Sequence, residues 1–555
     1  MKNINKISIF LFLILGMTFT SCETTDLDLL DDPNNVTLDK ADLERYMVAI
    51  QLDFRSFVET MGRNGAQLTR IEYMFGRTYL ANYTPENTNF EWGLAYQGMF
   101  SDIVGAELLA TEQGQYNHLA LMNVMKAYTL MTLVDFYGDV PYSEASNPSE
   151  FPFPSADDAA TVYAGALTLL EDAENYLSLG GGTIQNEFFY DNDYSKWRKL
   201  IGTLKMNAYL NTRLVDSGAL GKFNAIVNSG TYISSSDDDF QFQYGTSESN
   251  PNTRHPAYGS DYGNSGAGRY RSNWLMELML NNNDPRIRYY FFRQIICTPG
   301  TIGADGVACA PNGPQLQCSQ QAKPPHFPTD MTFCNVNSGY WGRDHGNDEG
   351  IPPDSFKRTA MGVYPAGGRF DGDDFDFVGI GQGGGGAGVT PIMLASWVDL
   401  MRAEAAMASN NTSAAGTLLQ SALTKSIAKV QSFGSLDATA NSSFFPSSAD
   451  VNAFKSSVSA AFNSANTTGK WNILANQTFV AYYGNGINPY NFYRRTGYPT
   501  TLQYNIEPSS GDFVRSFLYP ADEANTNSNI VQKPNVSQQV FWDNNPASPA
   551  FPFAN

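Results

Sequence analysis

The stretch "YNHLALMNVMKAYTLMTLVDFYG", Tyr116 to Gly138, is long and apolar, with polar residues recurring at helical spacing. Residues three and four positions apart share one face of a helix, so this stretch predicts a long helix. Similar periodicity covers Lys40 to Met61 and the stretch that starts after Ser155, at Asp157 and Asp158, and ends at Gly180, so both of its ends are marked. Helices are therefore expected to dominate the first half of the chain.

The texture changes between about residues 218 and 390, where Gly, Asn, Asp, Pro and Tyr surround short strand-like runs. Helical patterns return at "TPIMLASWVDLMRAEAAMAS", where Thr390 is the predicted cap and Pro391 takes the favoured first position. The tail from Gly484 is predicted to be mostly irregular. Several helix pairs with short connections indicate stacked tetratricopeptide-like pairs, although the strict 34-residue signature is absent. We therefore predict a mainly α fold in which a helical scaffold carries a large irregular loop layer.

The overall charge excludes one class of function. The 555 residues carry a formal net charge of −20, and no cluster of Lys or Arg interrupts it. A nucleic acid needs such a cluster to release its counterions. We therefore expect no nucleic-acid partner.

The N-terminus indicates export and a lipid anchor. Lys2 and Lys6 precede an apolar core, Ile9 to Met17, which has the length of a signal-peptide core and is too short to span a bilayer. Phe19-Thr20-Ser21-Cys22 then resembles a bacterial lipobox, in which the cysteine is diacylglycerated and becomes the new N-terminus. This predicts a signal peptide over 1–21, lipidation at Cys22 and an acidic tether over 22–35. The alternative is an ordinary secretory signal with an incidental cysteine.

Four more cysteines lie within one Gly- and Pro-rich segment: Cys297, Cys309, Cys318 and Cys334. In an exported protein they most simply form two disulfides, for which three connectivities exist. Our choice among them is the sequential one, Cys297 with Cys309 and Cys318 with Cys334. A zinc site is less favoured, because its ligands usually come in closely spaced pairs.

Sequence signatures of catalysis are missing or incomplete. No H-E-x-x-H, G-x-S-x-G or Walker sequence occurs. Residues 379–384, "GIGQGG", fit G-x-G-x-x-G, but the next predicted helix starts too far away, so we interpret them as a loop. Residues 371–376, "DGDDFD", could offer carboxylates to Ca2+, although Gln382 stands where an EF-hand needs its bidentate acid. We predict no catalytic residue and no cofactor, with structural Ca2+ as a weakly supported option.

Aromatic and planar polar residues concentrate in two stretches, Tyr73 to Trp92 and Asn337 to Gly350. Aromatic faces stack on sugar rings or apolar side chains, while Asn, Arg and Asp form hydrogen bonds with hydroxyl groups. The alternative is that these rings are packing beneath loops. The candidate ligand-binding residues are Arg77, Tyr79, Tyr83, Asn89, Trp92, Tyr340, Trp341, Arg343 and Asp344.

Several short motifs occur in a fixed order along nearly the whole mature chain. After the lipobox and "DPNNVT" come "LVDFYGDVPYSEA" (133–145), "NDPRIRYYF" (283–291), "WVDLMRAEAAM" (397–407), "YNFYRRTGYPT" (490–500) and "VRSFLYPADEANTNSNI" (514–530). Together they resemble the SusD/RagB family of Bacteroidetes outer-membrane nutrient-binding lipoproteins. "GYWGRDHGNDEGIPPD" is similar to the SusD-like branch.

The resemblance implies a single SusD-like domain over 36–555, with the loop-rich layer at 218–390. It also implies a cell-surface protein that binds oligosaccharides and delivers them to a SusC-like TonB-dependent transporter. A peptide-binding lid of the RagB type is the alternative, and a surface glycoside hydrolase is less favoured. Under this resemblance Arg494 and Arg495 belong to the scaffold rather than to the ligand site.

Overall fold

The computed structural model describes residues 42–147, 149–297, 301–309, 322–334, 336–348 and 356–546. The predicted signal peptide, Cys22 and the tether lie outside the described residues, as does Cys318. From Glu44 onward the chain forms one compact unit.

The first half of this unit is helical, as the periodicity predicts. The long helices are α1 (Leu43–Leu68), α4 (Phe100–Glu112), α5 (Tyr116–Tyr137), α6 (Ala159–Leu179), α7 (Tyr194–Thr212) and α8 (Ala219–Ser229), and two short ones, α2 (Tyr79–Asn82) and α3 (Asn89–Gly93), follow α1. Neighbours in sequence pack on each other, most extensively α5 with α6. The predicted ends of α6 are confirmed: the Asp158 carboxylate accepts a hydrogen bond from Thr161 N, and Gly180 follows the last turn at φ 66°.

Helix α5 forms the centre of this layer. It is long and apolar enough to cross a membrane, but it is buried inside the domain. The Asp135 carboxylate on α5 is completely enclosed and accepts hydrogen bonds from Asn211, Asn491 and Trp542. These donors come from three distant parts of the chain, so one buried acid ties the two ends of the domain together.

The middle of the chain is the predicted loop layer, held by short elements. It contains α9 (Pro256–Asp261), α10 (Asn273–Asn281), α11 (Ile287–Tyr290) and the strands β1 (Phe240–Gln243), β2 (Phe291–Phe292), β3 (Ala360–Met361) and β4 (Val389–Met393). Two antiparallel pairs form, β1 with β4 and β2 with β3.

The start predicted for the next helix is wrong. Thr390 and Pro391 lie in β4, where they pair with Phe242 and Gln241 of β1, and the helix begins only at Ala395. The Asp239 carboxylate, just before β1, accepts a hydrogen bond from Ala395 N at 2.8 Å. A distant acid therefore replaces the local threonine as the cap.

The second helical layer consists of α12 (Ala395–Ala408), α13 (Thr412–Ser432), α14 (Ser448–Ser464) and α15 (Thr467–Ala481), packed around one apolar core that includes Trp397, Leu419 and Phe462. The described part of the tail is mostly irregular, as predicted, and contains α16 (Ile487–Thr496) and the short α17 (Ala521–Thr526). Helix α16 is buried along most of its length.

The cysteine-rich segment is partly described. Cys297 forms a disulfide with Cys309, the first pair of the sequential connectivity. Cys334 is also disulfide-bonded. The predicted partner of Cys334 lies outside the described residues, so the second pairing stays a prediction.

Candidate functional site

A cavity of about 660 Å³ opens where the end of α1 meets the loop layer. This volume is typical of small-molecule sites. Its described walls come from residues 63–88, 268–271 and 343–348 and from Arg358. The lining residues are Arg63, Asn64, Gln67, Glu72, Tyr73, Phe75, Asn82, Tyr83, Asn87, Thr88, Gly268, Arg269, Tyr270, Arg271, Arg343, Asp348 and Arg358.

The two aromatic stretches singled out in the sequence meet at this cavity. Gly346 N donates a hydrogen bond to Met74 O at 3.1 Å, and the Tyr73 hydroxyl donates one to Asn347 O. Gly346 has φ 76°, and a side chain there would collide with Asn505. Glycine therefore suits this position, because of its positive φ and because Asn505 lies too close for a side chain.

The backbone that carries the first stretch is fixed from below by Arg70. Its guanidinium donates to Gln503 O at 2.8 Å, to Leu68 O at 2.6 Å and to the Tyr79 hydroxyl at 3.0 Å. Thr78 and Thr84 then cap two short helical turns by accepting from Ala81 N and Asn87 N. These contacts hold the cavity wall in place without any ligand.

Aromatic rings line the cavity on two sides. Phe75 lines the cavity and is 59% exposed. Tyr73 and Tyr270 meet edge to face, with ring centroids 5.9 Å apart, and Tyr83 is stacked on Phe517 at 5.0 Å. Phe75 therefore offers the most accessible aromatic face for a ligand.

Among the described lining residues, five are arginines and two, Glu72 and Asp348, carry carboxylates. The guanidinium groups of Arg343 and Arg358 lie over the Tyr270 ring at 4.1 Å and 4.0 Å from its centroid. Such cation–π contacts hold the arginines and the ring in a fixed arrangement.

The charged side chains at the cavity differ in whether they form ion pairs. Arg271 forms a buried ion pair with Asp261 at 3.1 Å, and Arg77 pairs with Asp348 at 2.6 Å. No ion pair involves Arg63 or Arg269 within the part of the chain that the structure describes.

A buried acid lies behind the cavity wall. Glu91 accepts a hydrogen bond from Asn64 Nδ2 at 2.9 Å and is 1% exposed. Burial raises the pKa of its carboxyl to about 7, while hydrogen bonds and the charge of Arg63 act in the opposite direction.

Of the nine predicted ligand-binding residues, Tyr83 and Arg343 line the cavity. Arg77 lies at its edge through the ion pair with Asp348. Asn89 has a structural role instead, since its side-chain oxygen accepts from Asp522 N at 3.0 Å. Tyr79 is completely buried and accepts from Arg70.

Both predicted tryptophans are packing residues in this structure. Trp341 is completely buried, and Trp92 is 4% exposed, with Tyr96 and Tyr137 against its ring. A ring enclosed on its faces has none to offer a sugar, so the packing alternative describes these two residues.

Tyr340 and Asp344 do not line this cavity: Tyr340 lines a separate cavity beside Arg293, and Asp344 is buried in the interior. Tyr340 lies beneath the Arg293 guanidinium at 4.9 Å. Asp344 is completely buried and accepts hydrogen bonds from Asn273, Gln503 and Cys334 N. Burial raises the pKa of its carboxyl despite these donors.

Sequence reasoning missed most of the lining residues. Phe75, Asn82 and Asn87 lie inside the first quoted stretch and could have been chosen for their exposed, turn-rich context. Arg269 and Tyr270 lie about 180 positions further along the chain, in "GRYRSN", and their only signal is the alternation of basic and aromatic residues.

The carboxylates of residues 371–376, which were considered as Ca2+ ligands, form ion pairs with arginines. Asp371 pairs with Arg293 at 2.6 Å, and Asp374 pairs with Arg369 at 2.9 Å. Asp373 contacts both Arg288 and Arg293. Among the described residues, no group of three or more His, Cys, Asp or Glu side chains is placed to hold a metal ion.

Comparison with known proteins supports the fold prediction. The chain resembles a solved chitin-binding protein with 20% identity and a TM-score of 0.63, covering 91% of this chain and 100% of that one. A SusD homologue from Bacteroides uniformis shares 16% identity with a TM-score of 0.60, over 91% and 99% of the two chains. A SusD/RagB family protein from Bacteroides thetaiotaomicron shares 18% identity with a TM-score of 0.63, over 91% and 98%. The mainly helical SusD-like fold is thus confirmed.

Matches to two family models identify the family of the chain. Residues 47–319 match the model described as "Starch-binding associating with outer membrane", and residues 388–543 match "Susd and RagB outer membrane lipoprotein". The search of curated proteins found no match. Since the two models together cover well over half of the sequence, the chain belongs to the SusD/RagB family of nutrient-binding, lipid-anchored outer-membrane proteins.

Proposed function

We propose that this protein binds oligosaccharides in the cavity at the end of α1 and delivers them to a SusC-like TonB-dependent transporter. The observation that carries the proposal is the exposed ring of Phe75 beside a wall of side-chain amides. An aromatic face stacks on the apolar face of a sugar ring, and amides bond to its hydroxyls.

The polar groups suit hydroxyl recognition. Asn64, Gln67, Asn82 and Asn87 each carry a carbonyl acceptor and an NH2 donor, which match hydroxyl groups that both donate and accept. Asn87 is held in place by its own hydrogen bond to Asn82 O at 3.0 Å. Such pre-organisation lowers the entropy cost of binding. The chitin-binding protein of the same fold binds a glycan by its description, which supports this substrate class.

A Phe75→Ala variant tests the site. Loss of the stacking face should weaken binding of an oligosaccharide found by glycan-array screening by about tenfold, which corresponds to about 1.4 kcal/mol. Isothermal titration calorimetry measures this change. Phe153→Ala is the matched control, because Phe153 is 52% exposed but does not line the cavity.

Two results would contradict the proposal. Equal affinity of the Phe75→Ala variant and the unmodified protein would place the ligand elsewhere. Binding of peptide mixtures together with no glycan binding would favour the RagB-type alternative.

The proposed role is binding without turnover, at the outer face of the cell. Long incubation with a bound oligosaccharide should release no product, and appearance of shorter products would support the hydrolase alternative. The transporter partner is tested by affinity purification of the tagged protein from solubilised outer membranes. A TonB-dependent transporter should co-purify in comparable amount, and its absence would overturn the delivery step.

A further inference from the structure

We propose that the cavity selects anionic oligosaccharides, in which carboxylate or sulfate groups bind to Arg63 and Arg269. This inference rests on the proposed function and names the substrate class of the same site.

The first argument is the contrast between the cavity and the rest of the chain. The whole protein carries a formal charge of −20, with 55 acidic and 35 basic residues. Among the residues that the structure describes, the cavity reverses this ratio, since five arginines and two carboxylates line it. Cationic side chains grouped in a cleft raise the local concentration of anions, which the remaining surface repels.

The second argument concerns which arginines are already engaged. Arg271 is neutralised by Asp261 at 3.1 Å, and the guanidinium groups of Arg343 and Arg358 lie over Tyr270. Arg63 and Arg269 are partly exposed, and the described residues form no ion pair with either one. Their planar guanidinium groups match carboxylate and sulfate oxygens two at a time.

The third argument concerns the acids that could cancel this charge. Asp348 is paired with Arg77 at 2.6 Å, so its charge is already matched. The negative charge of Glu72 interacts with the buried guanidinium group of Arg271 and acts to raise its pKa. Glu91 lies behind Asn64, and burial raises the pKa of its carboxyl to about 7. Near pH 7 a large fraction of this carboxyl is therefore neutral. The described residues of the cavity therefore carry an excess of positive charge.

The accompanying groups favour a saccharide over an acidic peptide. The amides of Asn64, Gln67, Asn82 and Asn87 stand beside the exposed ring of Phe75. An oligosaccharide whose sugar rings carry hydroxyl groups and regularly spaced charges would contact the Phe75 ring, the amides and the arginines at the same time. An acidic peptide has fewer groups for the amides.

The test compares matched probes that differ only in charge. Oligogalacturonides carry carboxylates and carrageenan oligosaccharides carry sulfates, and each is compared with its methyl-esterified or desulfated form by calorimetry. We expect at least one acidic series to bind, with about tenfold weaker binding after its charge is removed. The affinity should also fall as the salt concentration rises.

Variants assign the effect to the two arginines. Arg269→Gln and Arg63→Gln should each weaken binding of the acidic probe about tenfold and weaken binding of its uncharged form by a smaller factor. Arg198→Gln, on α7 and outside the cavity lining, should have no effect. The lining arginines other than these two are left intact, so the Tyr270 arrangement is preserved.

The outcomes separate this inference from the proposed function. Binding of neutral malto- or chito-oligosaccharides alone, or equal binding of charged and uncharged forms, would overturn the anionic specificity and leave the glycan function standing. Absence of binding for both acidic series at millimolar concentration would also overturn it. Binding of acidic peptides alone would overturn both proposals.

Discussion

At the scale of single residues, Glu91 links the cavity wall to the stability of the fold. Its pKa is raised from an ordinary value of 4.5 to about 7, chiefly because burial disfavours the charged form. The folded protein therefore binds this proton more tightly than the unfolded chain does. Between these two values the free energy of unfolding falls as the pH rises, by about 3 kcal/mol in total.

A Glu91→Gln variant should remove this pH dependence. The amide oxygen can still accept from Asn64, and no charge forms in the interior as the pH rises. Urea unfolding between pH 4.5 and 7 measures the difference in unfolding free energy between variant and unmodified protein. We expect that difference to shift in favour of the variant by about 3 kcal/mol over this interval.

The control for this measurement is Glu112→Gln, an exposed carboxylate at the end of α4. It should give the same pH profile as the unmodified protein. Parallel profiles for Glu91→Gln and the unmodified protein would show that the pKa of Glu91 is the same in the folded and unfolded states, which would contradict the prediction.

At the scale of elements, the scaffold depends on a buried ion pair between α12 and α16. Arg495 donates to both oxygens of Glu404, at 2.9 Å and 2.7 Å, and both side chains are 2% exposed. The neighbouring Arg494 donates to Arg515 O and to Asn491, both at 2.6 Å. The scaffold role predicted for Arg494 and Arg495 is thus confirmed.

Replacement of Arg495 by Ala should destabilise the domain severely. It leaves a buried carboxylate with Arg213 as its remaining charged partner, at 3.1 Å. Breaking one side of such a buried pair costs about 3–5 kcal/mol. Denaturant unfolding monitored by circular dichroism measures the loss. Lys222→Ala, which breaks the exposed pair with Asp216, should change stability little, and a similar effect of both variants would contradict this role for Arg495.

Elements whose signals are local were predictable, and elements fixed by distant partners were not. The ends of α6 follow from Asp158 and Gly180, which act within one turn of the helix. The start of α12 could not be predicted, because Thr390 is taken into a strand by β1, about 150 positions earlier, and Asp239 supplies the cap. Local propensity yields to tertiary pairing at such positions.

At the scale of the whole molecule, the candidate site was also predictable only where its signals are local. The sequence identified the two aromatic stretches that meet at the cavity, but it selected Trp92 and Trp341, which are buried packing residues. Burial depends on what covers a ring, and that covering comes from distant segments. The third wall, around Arg269, carries no local signal that joins it to the first two.

The last prediction concerns how the whole molecule is held at the membrane. Among the described residues, α5 is the one helix long and apolar enough to cross a bilayer, and it is buried in the centre of the domain. The SusD/RagB family consists of outer-membrane lipoproteins, and we expect the attachment of this chain to come from acyl chains on Cys22, each buried methylene contributing about 0.8 kcal/mol. Cys22→Ala should leave a folded protein that binds the same oligosaccharide but appears in the soluble fraction. Fractionation and immunoblotting in cells that lack the transporter measure this, since the transporter could otherwise retain the variant. Persistence of the Cys22→Ala protein in the membrane fraction of those cells would show that another part of the chain provides the attachment.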